Sequence, residues 1–281
     1  MNIMPRKIIT DELKQEIINF YLASPKTYQD IRDKYHLSLP TIGKILKDVP
    51  KYPKAKIYNP QLDEHFFETI NTEEKAYFLG LIITDGNVFI KDDKSNRQAS
   101  ISITLNLEDE YMLDNFKNIL HSNTNIGHDG RGCGQIAVRS NIMAEDLKKY
   151  GIVPCKTLST YLPDIDKKYL PHLIRGIFDG DGSIMFKKHN IKYLHSISFC
   201  GSHQLMEDLV DVFQQYLTLK TIPQVYDYHD KHLSDLKLQN YHDIVALGNW
   251  MYKDATIYLK RKKDIYQSIL THLNGNTELT N

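Results

Sequence analysis

The stretch HLIRGIFDGDGS, residues 172–183, ends an apolar helical pattern in two aspartates separated by glycine, and AYFLGLIITDGNV, residues 76–88, does nearly the same earlier in the chain. Each pattern also has a glycine at its middle, Gly80 in one and Gly176 in the other. A glycine inside a helix costs about 1 kcal/mol relative to alanine, so matching glycines indicate two helices that approach too closely for a Cβ. We therefore expect the two helices to pack side by side, with Gly80 against Gly176.

This packing would bring the carboxylates of Asp85 and Asp181 together at the C-terminal ends of the two helices. Two carboxylates beside the negative ends of two helix dipoles repel each other, and a divalent cation relieves that repulsion. Oxygen ligands favour Mg²⁺ or Ca²⁺ over zinc, and we predict Mg²⁺, or Mn²⁺ in its place, as the cofactor. Each Asp-Gly pair taken alone would equally suit a helix stop followed by a tight turn. Their occurrence in matching repeats favours the metal site.

The chain from residue 65 onward contains a weak internal duplication. After each acidic helix end come a strand-like stretch, an amphipathic helix, a further strand and another helix. This order predicts an α+β fold with two pseudo-symmetric repeats of αββαββα type, in residues 65–165 and 166–281.

The composition is that of an ordinary folded protein, with a formal net charge of zero. Three cysteines, at positions 133, 155 and 200, form no C-x-x-C pair, which argues against both a disulfide framework and a zinc module. The sequence shows no N-terminal apolar segment and no apolar run of membrane-spanning length. We therefore expect a cytoplasmic protein with no membrane partner.

Residues 1–60 are locally basic, with eleven Lys or Arg against six Asp or Glu. Three short helical patterns with a turn at residues 36–38 fit a helix-turn-helix head over residues 1–50, and a proline-containing linker follows over residues 51–64. In such a unit the last helix lies in the DNA major groove, so Ser38, Thr41 and Lys44 are candidate DNA contacts. A three-helix packing module without a ligand is the alternative.

The motifs FLGLIITDG (78–86) and IRGIFDGDG (174–182) resemble the two signature helices of the LAGLIDADG homing endonuclease family in its single-chain form. The resemblance covers about residues 65–270 and is supported by FFETINTEEKAYFLG, KTLSTYLP (156–163) and IYLKRKK (257–263). It implies two antiparallel sheets that form a saddle over DNA, with the signature helices at the centre. It further implies a metal-dependent double-strand DNA endonuclease of a bacterial or phage-borne mobile element, which acts as a nucleoid-associated monomer on a long site.

Carried onto this chain, the resemblance makes Asp85 and Asp181 the catalytic metal ligands, assisted by the backbone carbonyls of Thr84 and Gly180. Two departures stand out. The first motif has Ile83 where the second has Asp179, and the lysine or glutamine that the family often carries near the end of the following strand is absent from both repeats. Lys187 and Lys188 are the candidates to replace it.

The strands should supply the DNA-facing surface, because alternation along a strand points every second side chain at the groove. The basic run near the C-terminus is a candidate phosphate-binding segment. The predicted DNA contacts of the body are Arg97, Arg139, Lys187, Lys188, Lys237, Gln239, Lys260 and Arg261.

Two other functions remain open. The scaffold could serve a DNA-binding regulator that no longer cuts, or an intron maturase that binds structured RNA. Metal-dependent cutting separates the endonuclease from both alternatives.

Overall fold

The computed structural model describes residues 9–23, 28–47, 49, 61–93, 96–154, 160–190, 192–228 and 233–277. The chain divides into two compact units, Met1–Pro60 and Gln61–Asn281. Each unit has its own hydrophobic core. The first unit is called the head below, and the second the body.

The described part of the head contains three helices: α1 (Asp11–Ala23), α2 (Tyr28–Tyr35) and α3 (Leu39–Ile45). Ile17, Ile31 and Ile42 pack at its centre, one from each helix, and none of the three is exposed. The Ser38 hydroxyl accepts a hydrogen bond from the Thr41 N–H at 3.4 Å and caps α3, as expected for this residue type. The predicted linker lies outside the described residues from position 51 to position 60.

The body contains two repeats with the same order of elements. The first repeat comprises α4 (Glu73–Asp85), β1 (Gly86–Asp93), β2 (Asn96–Asn106), α5 (Glu110–Ile119), β3 (Gly127–Asp129), β4 (Cys133–Arg139) and α6 (Asn141–Lys149). The second comprises α7 (Leu170–Asp181), β5 (Ser183–His189), β6 (Lys192–Gly201), α8 (His203–Tyr216), β7 (Val225–Tyr228), β8 (Leu233–Leu238) and α9 (Tyr241–Tyr252), followed by α10 (Lys260–Thr277). The predicted αββαββα order is therefore confirmed in both repeats.

Each repeat forms one antiparallel four-stranded sheet, with strand orders β1-β2-β4-β3 and β5-β6-β8-β7. The strand registers of the two sheets match. Asn87, two residues after Asp85, pairs with Ser102, which pairs with Ala137. In the second sheet Ser183, two residues after Asp181, pairs with Ser198, which pairs with Lys237. The strand that leaves each signature helix thus lies at an edge of its sheet, and the next strand pairs on its inner side.

Burial alternates along the strands, because one face of each sheet packs against helices and the other is open. In β4, for example, Ile136 and Val138 are buried, whereas Gln135 and Arg139 are exposed. The helix-facing sides of both sheets contribute to one continuous core with α4 and α7.

None of the helices in the described residues is long and apolar enough to cross a membrane. Cys133 and Cys200 are partly buried, and Cys155 lies outside the described residues.

Candidate active site

The two signature helices, α4 and α7, are in backbone contact at their glycines. A Cβ added to Gly80 would overlap the carbonyl oxygen of Leu173 and lie 3.0 Å from the Cα of Gly176. A Cβ added to Gly176 would overlap the carbonyl oxygen of Tyr77. The predicted packing of Gly80 against Gly176 is confirmed, and the helix pair forms the centre of the body.

The same packing continues to the ends of the two helices. A Cβ on Gly180 would overlap the Thr84 hydroxyl and lie 3.4 Å from Oδ2 of Asp85. The Asp85 carboxylate therefore lies against the last turn of α7, whose final residue is Asp181. Asp85 is half-buried and Asp181 is exposed. The structure thus brings Thr84, Asp85 and Gly180 together, with Asp181 next in the chain.

The shared end of α4 and α7, around Asp85 and Gly180, has the chemistry to bind a hard divalent cation. The donors are carboxylate, hydroxyl and backbone carbonyl oxygens, and both helix dipoles present their negative ends there. Among the residues that the structure describes, no three His, Cys, Asp or Glu side chains gather into a metal-binding group. Mg²⁺ commonly completes its coordination with water and other oxygen ligands, so two carboxylates can be enough protein side chains for it.

Lys262 in the first turn of α10 lies beside this place and is only 3% exposed. Its Nζ donates hydrogen bonds to the carbonyl oxygens of Phe178 at 2.6 Å, Asp179 at 2.8 Å and Gly182 at 2.6 Å. These carbonyls precede and follow Asp181. An ammonium group therefore sits on the C-terminal end of α7, where the helix dipole favours positive charge.

Asp179, in the last turn of α7, is 1% exposed. Its Oδ2 accepts hydrogen bonds from the Tyr77 hydroxyl and from the Leu259 N–H, both at 2.8 Å. Burial raises the pKa of Asp179 to about 6. Burial also lowers the pKa of Lys262 to about 8, against the attraction of Asp179. Each group is thus harder to charge than in water, although their charges attract each other.

Lys262 is the residue that the sequence pattern did not reveal, because KRKK was interpreted as one exposed phosphate-binding run. A second pattern begins in the same run, because apolar residues recur at helical spacing around Lys262. The residues on that helix face are all buried: Leu259, Lys262, Tyr266 and Ile269. The neighbours of Lys262 in the run are less buried. The Lys260 side chain is exposed, and Arg261 Nε donates to the buried Asp109 carboxylate at 2.8 Å.

Lys187 and Lys188 are exposed on β5, far from the helix ends. Lys187 lies six strand residues beyond Asp181, which is about 20 Å along an extended chain. The two side chains alternate in direction, and Lys188 falls on the same side of β5 as Phe186, which contacts His272 of α10. Neither residue is brought to the aspartates.

The other predicted DNA contacts are distributed over both units. Three of those in the body are exposed. Arg139 is the last residue of β4, Lys237 lies in β8, and Gln239 follows the end of β8. Lys237 is in register with Ser183, the first strand residue after the second motif, through Ser198. The Arg97 side chain lies outside the described residues. In the head, Ser38 and Lys44 are exposed and Thr41 is half-buried.

No protein-family model matches the chain, and no curated protein matches it. Solved structures do match it. The meganuclease I-SmaMI, bound to uncleavable DNA, aligns with a TM-score of 0.53 at 14% identity, over 74% of this chain and 91% of its own. The LAGLIDADG meganuclease I-AabMI, bound to uncleaved DNA, aligns with a TM-score of 0.52 at 15% identity, over 72% and 91%. I-SmaMI has also been solved on cleaved DNA and in the presence of calcium ions.

These alignments confirm the fold that the two motifs predicted. They leave about a quarter of the chain unmatched. The body of this chain has the two-repeat saddle fold of the single-chain LAGLIDADG homing endonucleases.

Proposed function

We propose that the protein is a site-specific endonuclease that cuts both strands of duplex DNA as a monomer, with Mg²⁺ or Mn²⁺ as cofactor. One observation carries the proposal: Asp85 and the end of α7 that bears Asp181 meet at one end of a glycine-packed helix pair. The similarity of the fold to meganucleases solved on DNA supports it.

Asp85 and Asp181 would hold the cation, with the carbonyl oxygens of Thr84 and Gly180 as further donors. A bound divalent cation polarises a phosphodiester and lowers the pKa of a water ligand. The calcium-containing structure of I-SmaMI is consistent with divalent metal at this fold. The protein's part would be to keep the two carboxylates near each other at the end of the closely packed α4–α7 pair.

We assign the positive charge of the site to Lys262 in preference to Lys187 and Lys188. The C-terminal carbonyls of α7 would repel an incoming phosphate, and the Lys262 ammonium offsets their partial negative charge. Because the ammonium is buried, its field is less screened than that of a surface lysine, and it favours the extra negative charge of the transition state.

The open faces of the two sheets are proposed to lie along the DNA grooves, with Arg139, Lys187, Lys237 and Gln239 as contacts. Arg97 and Lys188 are kept as candidates for phosphate contact elsewhere on the body. The head would add contacts through Ser38, Thr41 and Lys44 and so lengthen the recognised sequence. Lys260 remains a candidate for phosphate contact. Arg261 would contact phosphate through the part of its guanidinium that Asp109 leaves exposed.

The deciding experiment incubates the protein with a randomised duplex library and Mg²⁺ or Mn²⁺, and sequences all new ends. Ends that cluster at one long motif and disappear in the Asp85→Asn/Asp181→Asn double variant establish the endonuclease and identify its target. Enriched binding without new ends contradicts the endonuclease and supports a regulator built on this scaffold.

A further inference from the structure

The two signature helices differ at positions that their glycines place in correspondence. One residue before the central glycine, α4 has Leu79 and α7 has Arg175; three residues after it, α4 has Ile83 and α7 has Asp179. All four side chains are buried. Burying a guanidinium and a carboxylate is costly, and α4 packs with aliphatic residues at the same positions. Helix packing therefore does not account for the charged pair in α7.

Arg175 has no exposed surface, and its guanidinium binds the last turn of α9 and the connection between α9 and α10. Its Nε donates to the carbonyl oxygen of Ile257 at 2.8 Å, and Nη1 donates to that of Met251 at 2.5 Å. Its Nη2 donates to Oε1 of Glu73 in the first turn of α4 at 2.6 Å. The guanidinium thus ties both signature helices to this connection.

The Glu73 carboxylate also binds the connection between α9 and α10. Its Oε1 accepts hydrogen bonds from the N–H groups of Thr256 at 2.8 Å and Ile257 at 3.1 Å, and Oε2 accepts from the Thr256 hydroxyl at 2.9 Å. Charge-assisted hydrogen bonds of this kind are stronger and more directional than neutral ones. Residues 256 and 257 are therefore held at defined positions relative to α4.

Asp179 completes the path to Lys262. Its Oδ2 accepts from the Leu259 N–H, just before α10 begins, and from the Tyr77 hydroxyl of α4. The carbonyl oxygen of Leu259 in turn accepts hydrogen bonds from the N–H groups of Lys262 and Lys263, both at 3.1 Å. The start of α10 is thereby anchored one turn before the lysine that reaches the end of α7.

We propose that Glu73, Tyr77, Arg175 and Asp179 are positioning residues that hold the first turn of α10, so that Lys262 stays beside Asp181, and that they serve the cleavage of one strand. The inference rests on the proposed function. It also explains why the two motifs differ. In α7 the charged residues Arg175 and Asp179 belong to the network, whereas α4 has the aliphatic residues Leu79 and Ile83 at the corresponding positions.

The test compares Tyr77→Phe and Glu73→Gln with wild type on the target duplex, labelled separately on each strand. Each variant removes hydrogen bonding or charge from the network and leaves the shape of the side chain nearly unchanged. Tyr252→Phe is the matched control, because the Tyr252 hydroxyl is buried near this network and has no hydrogen-bond partner among the described residues.

We expect both variants to lower the single-turnover rate at saturating DNA by roughly tenfold for one and the same strand, since one charge-assisted hydrogen bond corresponds to about that factor. The cleavage rate of the other strand and the DNA affinity should change by less than about threefold. The Tyr252→Phe control should change the rate of either strand by less than the same factor. In the protein without DNA or metal, amide hydrogen exchange at residues 259–263 should accelerate in both variants and not in the control.

Equal slowing of the two strands, or exchange at residues 259–263 that matches the control, overturns the inference while the endonuclease stands. A wild-type protein that cuts neither strand overturns the proposed function, and this inference with it.

Discussion

Gly80 of α4 and Gly176 of α7 face each other so closely that a Cβ on either would overlap the backbone of the opposite helix. The contact involves backbone atoms, which cannot turn aside as a flexible side chain can. It sets the separation of the two helices and, through them, the position of Asp85 against the last turn of α7.

Substituting Gly80 or Gly176 with alanine should destabilise the body strongly. Each methyl group would force the helices apart, and we expect the free energy of unfolding to fall by roughly 3 kcal/mol, the upper part of the usual range for overpacking. Urea denaturation measures this change. Gly130→Ala is the control, because a Cβ there meets no atom within 4 Å. Equal stability of Gly80→Ala and Gly130→Ala would show that the helices do not touch as described.

Substituting Asp85 or Asp181 with asparagine should abolish the cutting of at least one DNA strand and leave DNA binding nearly intact. The loss should be at least roughly a hundredfold, because these substitutions remove a proposed metal ligand. Strand-specific cleavage and DNA affinity in EDTA measure the two effects. Asp164→Asn, an exposed carboxylate before α7, is the control. Wild-type cutting by both single variants would refute the assignment.

Removing residues 1–60 should weaken DNA binding without unfolding the body. Each unit has its own hydrophobic core, so we expect the urea denaturation of the body to be unchanged. Each phosphate that the head neutralises adds about 0.9 to the slope of log K against log salt concentration, so the truncated protein should have a shallower slope. Affinity measured across a series of salt concentrations tests this. An unchanged salt slope would remove the head from the DNA-binding surface.

The stability of the body should depend on the titration of Asp179. Burial raises its pKa from 3.8 to about 6, so the folded protein binds more protons than the unfolded chain between these pH values. The free energy of unfolding should therefore fall as pH rises from about 4 to about 6, relative to an Asp179→Asn variant that does not titrate. Urea denaturation of both proteins at several pH values measures the difference. A difference that grows in favour of wild type over this range would contradict the assigned pKa.

Most of the fold could be predicted, because it depends on signals that are local in the sequence. The helical and alternating patterns determine the elements of each repeat, and two mid-helix glycines are costly enough to identify the helix contact. The Asp-Gly ends located the candidate site by the same reasoning. Lys262 was not predicted as part of that site, since a basic run near the C-terminus resembles an exposed surface until the helix that carries it is placed against α7.

The sequence by itself determined the two repeats, the glycine contact and the pair of aspartates, since each follows from spacing along a short segment. Only the tertiary structure decided which charges share the site. Glu73, Arg175 and Asp179 meet residues 251–259 from more than seventy positions away in the chain, and Lys262 reaches the carbonyls of α7 across a similar separation. The physical reason is that a buried charge is tolerated only where distant groups supply its partners, and local patterns do not encode those partners.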